Sequence, residues 1–260
     1  MRLYHNPMSS CSQKVRMALA EKGLAFEDTV LDLQKGDQFD PAYMALNPNA
    51  VVPTLEDHGN VLIESTLINE YLDDAYPEVA LKPAEPAARH RMRLLCKQID
   101  NALHPACAVI TYAIGVRPSL LARPKDEVTA LVNKIPDPAR REARRQVVDL
   151  GVAAPAFREA MLTHRNLFDT AEEMLKGSVW LAAESFSLAD CALLPYALRI
   201  DHLGQGDEIS SRPGLARWYQ QIQARPAYAE AVTRWLSDQM VGGLRKAGDA
   251  VRADVAAVLN

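Results

Sequence analysis

Three short stretches in the first third of the chain hold side chains whose types and spacing could do chemistry. The first, Ser9-Ser10-Cys11-Ser12-Gln13-Lys14-Val15-Arg16, separates a strand-like run from a segment with Val15, Ala18 and Leu19 at helical spacing. A helix start presents free backbone N–H groups and the positive end of the helix dipole, which together favour an anion. A sulfur held there, whether from Cys11 or from a bound thiol, ionises more readily than a free thiol. A hydroxyl of Ser9 or Ser10 could donate a hydrogen bond to it; the plain alternative is that one serine caps the helix. The second stretch, Val52-Pro53-Thr54, sets a proline at the opening of a strand. A cis bond there would turn the Val52 backbone toward a cleft, where its N–H and C=O could pair with a peptide ligand. An edge-strand proline is the alternative. The third, Glu64-Ser65-Thr66, opens a helix. Ser65 offers a hydroxyl and an N–H to a carboxylate, and Glu64 a charge to an ammonium, so together they could grip an amino-acid zwitterion. Ser187-Leu188-Ala189-Asp190 is a capping box with a stabilising role, and Cys191 beside it reads as core.

The elements that must position these groups follow from changes of period. Strand-like runs at 2–5, 26–33, 51–57 and 61–63 alternate with helical spacing up to Lys22-Gly23, at 42–46 and at 64–76. The order β-α-β-α-β-β-α, with a hairpin turn at His58-Gly59-Asn60, predicts an α/β sandwich of thioredoxin type. Residues 77–86 hold three prolines and read as a linker. Every long segment beyond is helix-like: 89–114, 157–176, the nearly all-apolar 188–203, 215–224 and 228–237. Residues 115–155 hold five prolines and the run Arg140-Arg141-Glu142-Ala143-Arg144-Arg145. They read as a long connection; the arginines could form an anion patch, but with Asp137, Glu142 and Asp149 interspersed a solvated helix face is the expected reading. The expected organisation is an α/β domain over 1–78, a linker at 79–86 and an all-helical domain over 87–260 with an insertion at about 115–155.

Composition bounds the class. The 260 residues are 48% apolar and 24% charged with a net charge of -4, which suits a globular chain with a sizeable core and no basic footprint for nucleic acid. No run of about 18 apolar residues exists for a membrane-spanning helix. The start, MRLYHNPMSS, lacks the basic and apolar pattern of a signal peptide. Four cysteines are scattered without CxxC or zinc spacing, and six histidines are isolated, so no metal is expected and a reducing cytoplasm is the natural setting.

SSCSQKVRMAL resembles the SSCxxRVRIAL motif of the zeta-class glutathione transferases, the maleylacetoacetate isomerases, with Lys14 where that class carries arginine. LNPNAVVPTLEDHG, ESTLINEYLDDAYPE and FSLADCALLPYALRI extend the resemblance to the cytosolic glutathione transferase superfamily over nearly the whole chain. The resemblance implies a thioredoxin-like N-terminal domain, an all-α C-terminal domain and a homodimer. Glutathione would be the co-substrate and a hydrophobic electrophile the second substrate, in detoxification or aromatic catabolism. Ser9 falls at the thiol-activating position, with Ser10 and Cys11 as the other catalytic candidates. Val52 beside cis-Pro53 falls at the cysteinyl backbone of glutathione, and Glu64 and Ser65 at its γ-glutamyl end, where zeta proteins often carry Gln-Ser. Cys11 also falls where tetrachlorohydroquinone reductive dehalogenases place their attacking cysteine. Val109-Ile110-Thr111-Tyr112 with Gly115-Val116 resembles the helix of that dehalogenase that faces the electrophile. His104, Tyr112 and Arg117 are the candidate contacts to that substrate.

The extra length at 115–155, with Asn133-Lys134-Ile135-Pro136, resembles the glutathione-dependent β-etherases that cleave lignin-type aryl ethers. The implied chemistry is attack of a glutathione thiolate on an electrophilic carbon, giving conjugation, β-ether cleavage, dehalogenation or isomerisation. Ser9 is the expected donor to that thiolate, and Cys11, two residues further in, is expected to turn partly away. One alternative is a cysteine-dependent reductive or thiol–disulfide cycle on Cys11. Another is a non-catalytic regulatory module like the stringent-starvation relatives of this fold.

Overall fold

In β1 (Arg2–His5) Leu3 and His5 are buried and Arg2 is exposed, the period of two expected of a strand with one face in a core. The computed structural model describes residues 1–259. β2 (Glu27–Val30), β3 (Thr54–Asp57) and β4 (Asn60–Leu62) complete one sheet of order β2-β1-β3-β4. β1 runs parallel to β2 and antiparallel to β3, and β3–β4 is a hairpin. With α1 (Ser10–Glu21), α2 (Pro41–Leu46) and α3 (Ser65–Ala75), the order is the predicted β-α-β-α-β-β-α. The strands are shorter than their apolar runs. β3 pairs only from Thr54 onward, because Pro53 has no N–H for the ladder. Leu3 and Leu55 of the sheet pack with Val15 and Leu19 of α1 and Ile68 and Leu72 of α3.

α1 is buried on its other side too, where Met17 and Ala18 join the core of the helical region. Its cations are inside the protein. Lys14 Nζ donates to Asp100 at 2.7 Å. Arg16 donates to His5 Nδ1 at 3.0 Å and to the carbonyls of Asn6, Pro7 and Ala231 at 3.1, 3.0 and 2.7 Å.

α4 (Pro86–Gln98), α5 (His104–Ile110) and α6 (Arg117–Leu121) follow one another through two π-helical segments, Ile99–Leu103 and Thr111–Val116. Pro105 and Pro118 stand at the second position of α5 and α6, and the wider turns accommodate the N–H groups they lack. The long connection expected at 115–155 is instead helical, with α7 (Lys125–Asn133) and α8 (Pro138–Leu150) inside it. Its prolines start helices rather than prevent them. Pro138 opens α8 behind the Asp137 cap, and Pro155 opens α9 (Pro155–Met174), positions where the missing N–H costs nothing. Leu120, Val128, Val132, Ile135 and Val148 make a small core of their own, against which Phe39 and Tyr112 pack.

α10 (Leu188–His202) is buried all round, as its apolar composition predicts, and Cys191 is core. α11 (Asp207–Ser210), α12 (Pro213–Gln223) and α13 (Pro226–Ala231) surround it. α14 (Asp238–Ala250) and α15 (Arg252–Leu259) lie beyond the last helix expected from spacing, since Gly242, Gly243 and Gly248 dilute the helical signal of α14.

The carboxylate of Asp190 closes the capping box and accepts from Ser187 N at 2.8 Å, Ser187 Oγ at 3.1 Å, Leu181 N at 3.1 Å and Trp218 Nε1 at 2.9 Å. Asp190→Ala leaves these buried donors without a partner. The expected loss is about 3 kcal/mol or more, read as a lower denaturation midpoint; an unchanged midpoint would contradict this role.

Candidate active site

Ser9 is the N-cap of α1, in an extended conformation, and its Oγ accepts from Ser12 N at 3.2 Å. Accepting that bond leaves its own O–H proton available, so capping and donation to a ligand are compatible roles. Gln13 N closes the first turn on Ser9 O at 2.9 Å. Among the described residues, the N–H groups of Ser10 and Cys11 remain to meet an anion at the helix start. The Ser10 side chain does not face that point. It is buried, with Oγ 3.9 Å from Cys107 Sγ, so its expected side-chain role passes to its backbone.

Cys11 does not turn away. Its Sγ lies 3.5 Å from His104 Nδ1 and 3.8 Å from Nε2. Desolvation alone would push this thiol up. The charge and hydrogen bond of His104, then Lys14, then a hydrogen bond from Ser65, outweigh it and bring the thiol down to about 6. His104 is raised in turn, chiefly by the charge on Cys11, and the Tyr196 hydroxyl lies 3.2 Å from its Nδ1. The two shifts run together toward a thiolate beside an imidazolium, each form favoured by the charge of the other. Burial pushes the other three cysteines the opposite way, Cys96 to about 12 and Cys107 and Cys191 upward. His104, expected at the electrophile, is therefore a partner of the thiol.

The Val52–Pro53 bond is cis, as expected, and Val52 is buried against Leu31 and Tyr43. The segment is braced from behind, where Asn47 Nδ2 donates to Val51 O at 3.0 Å and to Thr54 Oγ1 at 3.1 Å. Glu64 adopts φ 69°, ψ 104°, a conformation unfavourable for a residue with a Cβ. It delivers the chain into the first turn of α3, where Ser65 is buried within hydrogen-bonding reach of Cys11. The Glu64 carboxylate is exposed. Ser9, Cys11, Ser65 and His104 thus share one small region.

Of the other expected electrophile contacts, Tyr112 is half-buried and carries the Arg144 guanidinium over its ring, 3.0 Å from the centroid. Arg117 is elsewhere. Its Nε donates to Val148 O at 2.8 Å and its Nη2 to Asp149 O at 3.1 Å, so it closes the C-terminal end of α8 rather than facing a substrate. Sequence reasoning missed Arg199, which donates to Met8 O and, at 3.1 Å, to Thr111 Oγ1, and it put Arg140 and Arg144 on a solvated face, whereas they are half-buried against Asn49 and Tyr112. The spacing of four between Arg140 and Arg144 was the available signal.

Residues 8–75 match the family model "Glutathione S-transferase, N-terminal domain", and residues 129–226 match "Glutathione S-transferase, C-terminal domain". The chain belongs to the glutathione S-transferase family. This transferase is 31% identical over 245 residues to protein LigF of a Sphingobium species, covering 88% of this chain and 92% of that one. The crystal structure of beta-etherase LigF matches it with a TM-score of 0.81 at 30% identity, over 88% of this chain and 97% of that one. Glutathione S-transferase TCHQD of Arabidopsis thaliana is 30% identical over 250 residues, 91% of each chain. A maleylacetoacetate isomerase of Pseudomonas aeruginosa is 41% identical over 108 residues, 40% of this chain and 51% of that protein. The transferase is zeta-like, with the thioredoxin-like sheet and helical region of its family, and is a glutathione-dependent enzyme.

Alkylation of Cys11 in the transferase, followed against pH, should titrate with a midpoint of about 6. His104→Gln removes the largest lowering influence, so the midpoint should climb toward the ordinary thiol value of about 8.5. A midpoint that His104→Gln does not move would contradict the pairing.

Proposed function

We propose that this transferase uses glutathione to cleave an aryl ether bond of a hydrophobic substrate in aromatic catabolism. The observation that carries this reading is the match to LigF, a beta-etherase, over nearly the full length of both chains. The α7–α8 insertion supports it, because it packs around Tyr112, one of the residues expected at the electrophile. In this reading 1–78 bind glutathione, 79–86 link, and 87–260 frame the electrophile. Glu64 and Ser65 take the γ-glutamyl end, Val52 pairs with the cysteinyl backbone beside Pro53, and the sulfur sits at the start of α1.

A bound thiol with an ordinary pKa of about 8.5 is only a few per cent ionised at neutral pH. Lowering that value by about two units takes about 2.7 kcal/mol. A hydrogen bond from Ser9 to the anion contributes about 1.5–3 kcal/mol and the helix start a further 0.3–1 or so, enough for the task. The thiolate attacks the carbon bearing the ether oxygen. The C–S bond forms as the C–O bond breaks, and the aryloxide leaves to take a proton from water.

The Cys11–His104 pair favours a second reading on the same site. The Cys11 thiolate would attack the sulfur of a glutathionyl conjugate, forming a Cys11–glutathione disulfide and releasing a carbanion to be protonated. A second glutathione thiolate would then regenerate Cys11 and leave as glutathione disulfide. A homodimer in the cytoplasm completes the proposal. Exposed Val61, Leu67 and Leu94 offer apolar surface to a second copy, and free buried thiols suit a reducing compartment.

Incubation with glutathione and an aryl β-ether should release the phenol and one glutathione thioether. Ser9→Ala should slow this about tenfold to a hundredfold at neutral pH, the value of one hydrogen bond to a charge, with recovery at higher pH. Ser65→Ala should raise the glutathione KM about tenfold or more on the same grounds. Absence of phenol release from any aryl ether would contradict the proposed reaction. Abolition of turnover at every pH in Cys11→Ser, with a Cys11–glutathione disulfide seen by mass spectrometry of the native protein, would establish the second reading instead.

A further inference from the structure

The four arginines of α8 divide by partner. Arg141 donates to the carbonyls of Ile135 and Pro136 at 2.8 and 3.1 Å, and Arg145 pairs with Glu142 and, at 3.2 Å, with Asn133 Oδ1. Both face away from the N-terminal loops and are satisfied. Arg140 and Arg144, one turn apart on the opposite face, are half-buried and have no carboxylate partner among the described residues. Arg140 places one Nη2 on Asn49 O at 3.1 Å. Arg144 lies over the ring of Tyr112. The nearest acid, Asp137, is engaged at 2.6 Å with the backbone N–H of Arg140 as the α8 cap.

Two like charges at this spacing repel, and the cost of desolvating each of them is offset only in part, by Asp137 and Asn49 O for Arg140 and by Tyr112 for Arg144. Burial pushes both guanidiniums down from their ordinary value, which is the same cost seen in another quantity. The pair therefore has a standing demand for an anion. Its location limits what that anion belongs to. Asn49 lies three residues before Val52 in the loop proposed to hold the cysteinyl backbone. Tyr112 follows Thr111, which Arg199 ties to Met8, just ahead of the helix start. A group carried by the sulfur and extending toward α8 meets Tyr112 and then the two guanidinium edges. A guanidinium stacked on an aromatic ring keeps its N–H fork free in the ring plane, the geometry that grips a carboxylate with two parallel hydrogen bonds.

Resting on the glutathione site of the proposed function, we infer that Arg140 and Arg144 form a carboxylate-binding clamp for the second substrate, so that the preferred aryl electrophile is an aromatic acid rather than a neutral molecule. Arg144 supplies the fork over Tyr112, and Arg140 adds the second charge and closes the clamp against the Asn49 loop. The insertion that holds α8 is then the determinant of substrate charge.

Three probes separate the possibilities by calorimetric binding to the intact protein: glutathione, S-benzylglutathione and S-(para-carboxybenzyl)glutathione. The carboxylated conjugate should bind the wild-type protein about tenfold or more tighter than S-benzylglutathione, as for a charge-assisted bidentate contact. Arg144→Gln should bring that ratio to about one, and Arg140→Gln should reduce it by a smaller factor, since the fork over Tyr112 remains. Arg144→Lys, which keeps the charge and loses the fork, should retain a partial preference. Equal binding of the two conjugates by the wild-type protein, or a ratio that Arg144→Gln leaves intact, would overturn the clamp. Weakening of all three probes by one common factor in Arg144→Gln would overturn it as well, because the guanidinium would then be holding the glycyl carboxylate of glutathione. Failure of all three probes to bind the wild-type protein would overturn the glutathione site itself, and the clamp with it.

Discussion

Two buried guanidiniums stand behind the loop that carries the site. Arg16 reaches from α1 to the carbonyls of Asn6 and Pro7, and Arg199 reaches from α10 to that of Met8. Three successive carbonyls are thereby fixed just ahead of Ser9, and the N-cap can occupy one position only. Arg16 also reaches Ala231 O and so fastens the loop to the helical region. The arrangement depends on a neutral His5. Burial and the Arg16 charge hold that imidazole down near about 4, so its Nδ1 is free to accept from the guanidinium. Neither arginine has a carboxylate partner in these contacts. Each is satisfied by oxygen and nitrogen acceptors that are themselves pinned, which makes the loop a rigid mount for a helix start.

A rigid helix start with a serine cap stabilises one anion well and two poorly. In the proposed complex two sulfurs would compete for it, that of Cys11 and that of glutathione. His104, raised by the Cys11 charge and 3.5 Å from its sulfur on α5, would meet that charge from the side. The dipole, the free N–H groups and the Ser9 proton then remain for the ligand. Ser65 contributes to both, through its hydrogen bond toward Cys11 and its position at the start of α3. This explains how a motif containing both a serine and a reactive cysteine need not be ambiguous in its chemistry, since the two groups answer to different partners.

Much of this could be read from the sequence, and the parts that could not have physical reasons. The strands, α1 and α3 show their periods locally, and the Ser9 cap and the Asp190 capping box are recognisable from residue type alone. His104 meets Cys11 across 93 residues of chain and Arg199 meets Met8 across 191, with nothing local to announce either. Arg117 was expected at the substrate, yet it binds the carbonyls at the end of α8. Its direction is set by the π-helical segments before α5 and α6, each of which turns the following residues by about 100° relative to a regular helix and defeats a helical-wheel reading. The prolines of the insertion misled for a related reason: a proline is a breaker inside a helix and an initiator at its first position, and spacing alone does not distinguish the two.

The central claim is that the start of α1 holds the sulfur of glutathione as an anion. It is tested most directly by counting protons on binding. Glutathione is titrated calorimetrically into the protein near neutral pH in two buffers of different ionisation enthalpy, alongside ophthalmic acid, in which a methyl group replaces the thiol. The expected result is release of close to about one proton per glutathione bound beyond that seen with ophthalmic acid, because the thiol ionises only in the complex. The same proton count for both ligands would mean that the sulfur binds as a thiol, and would contradict the claim.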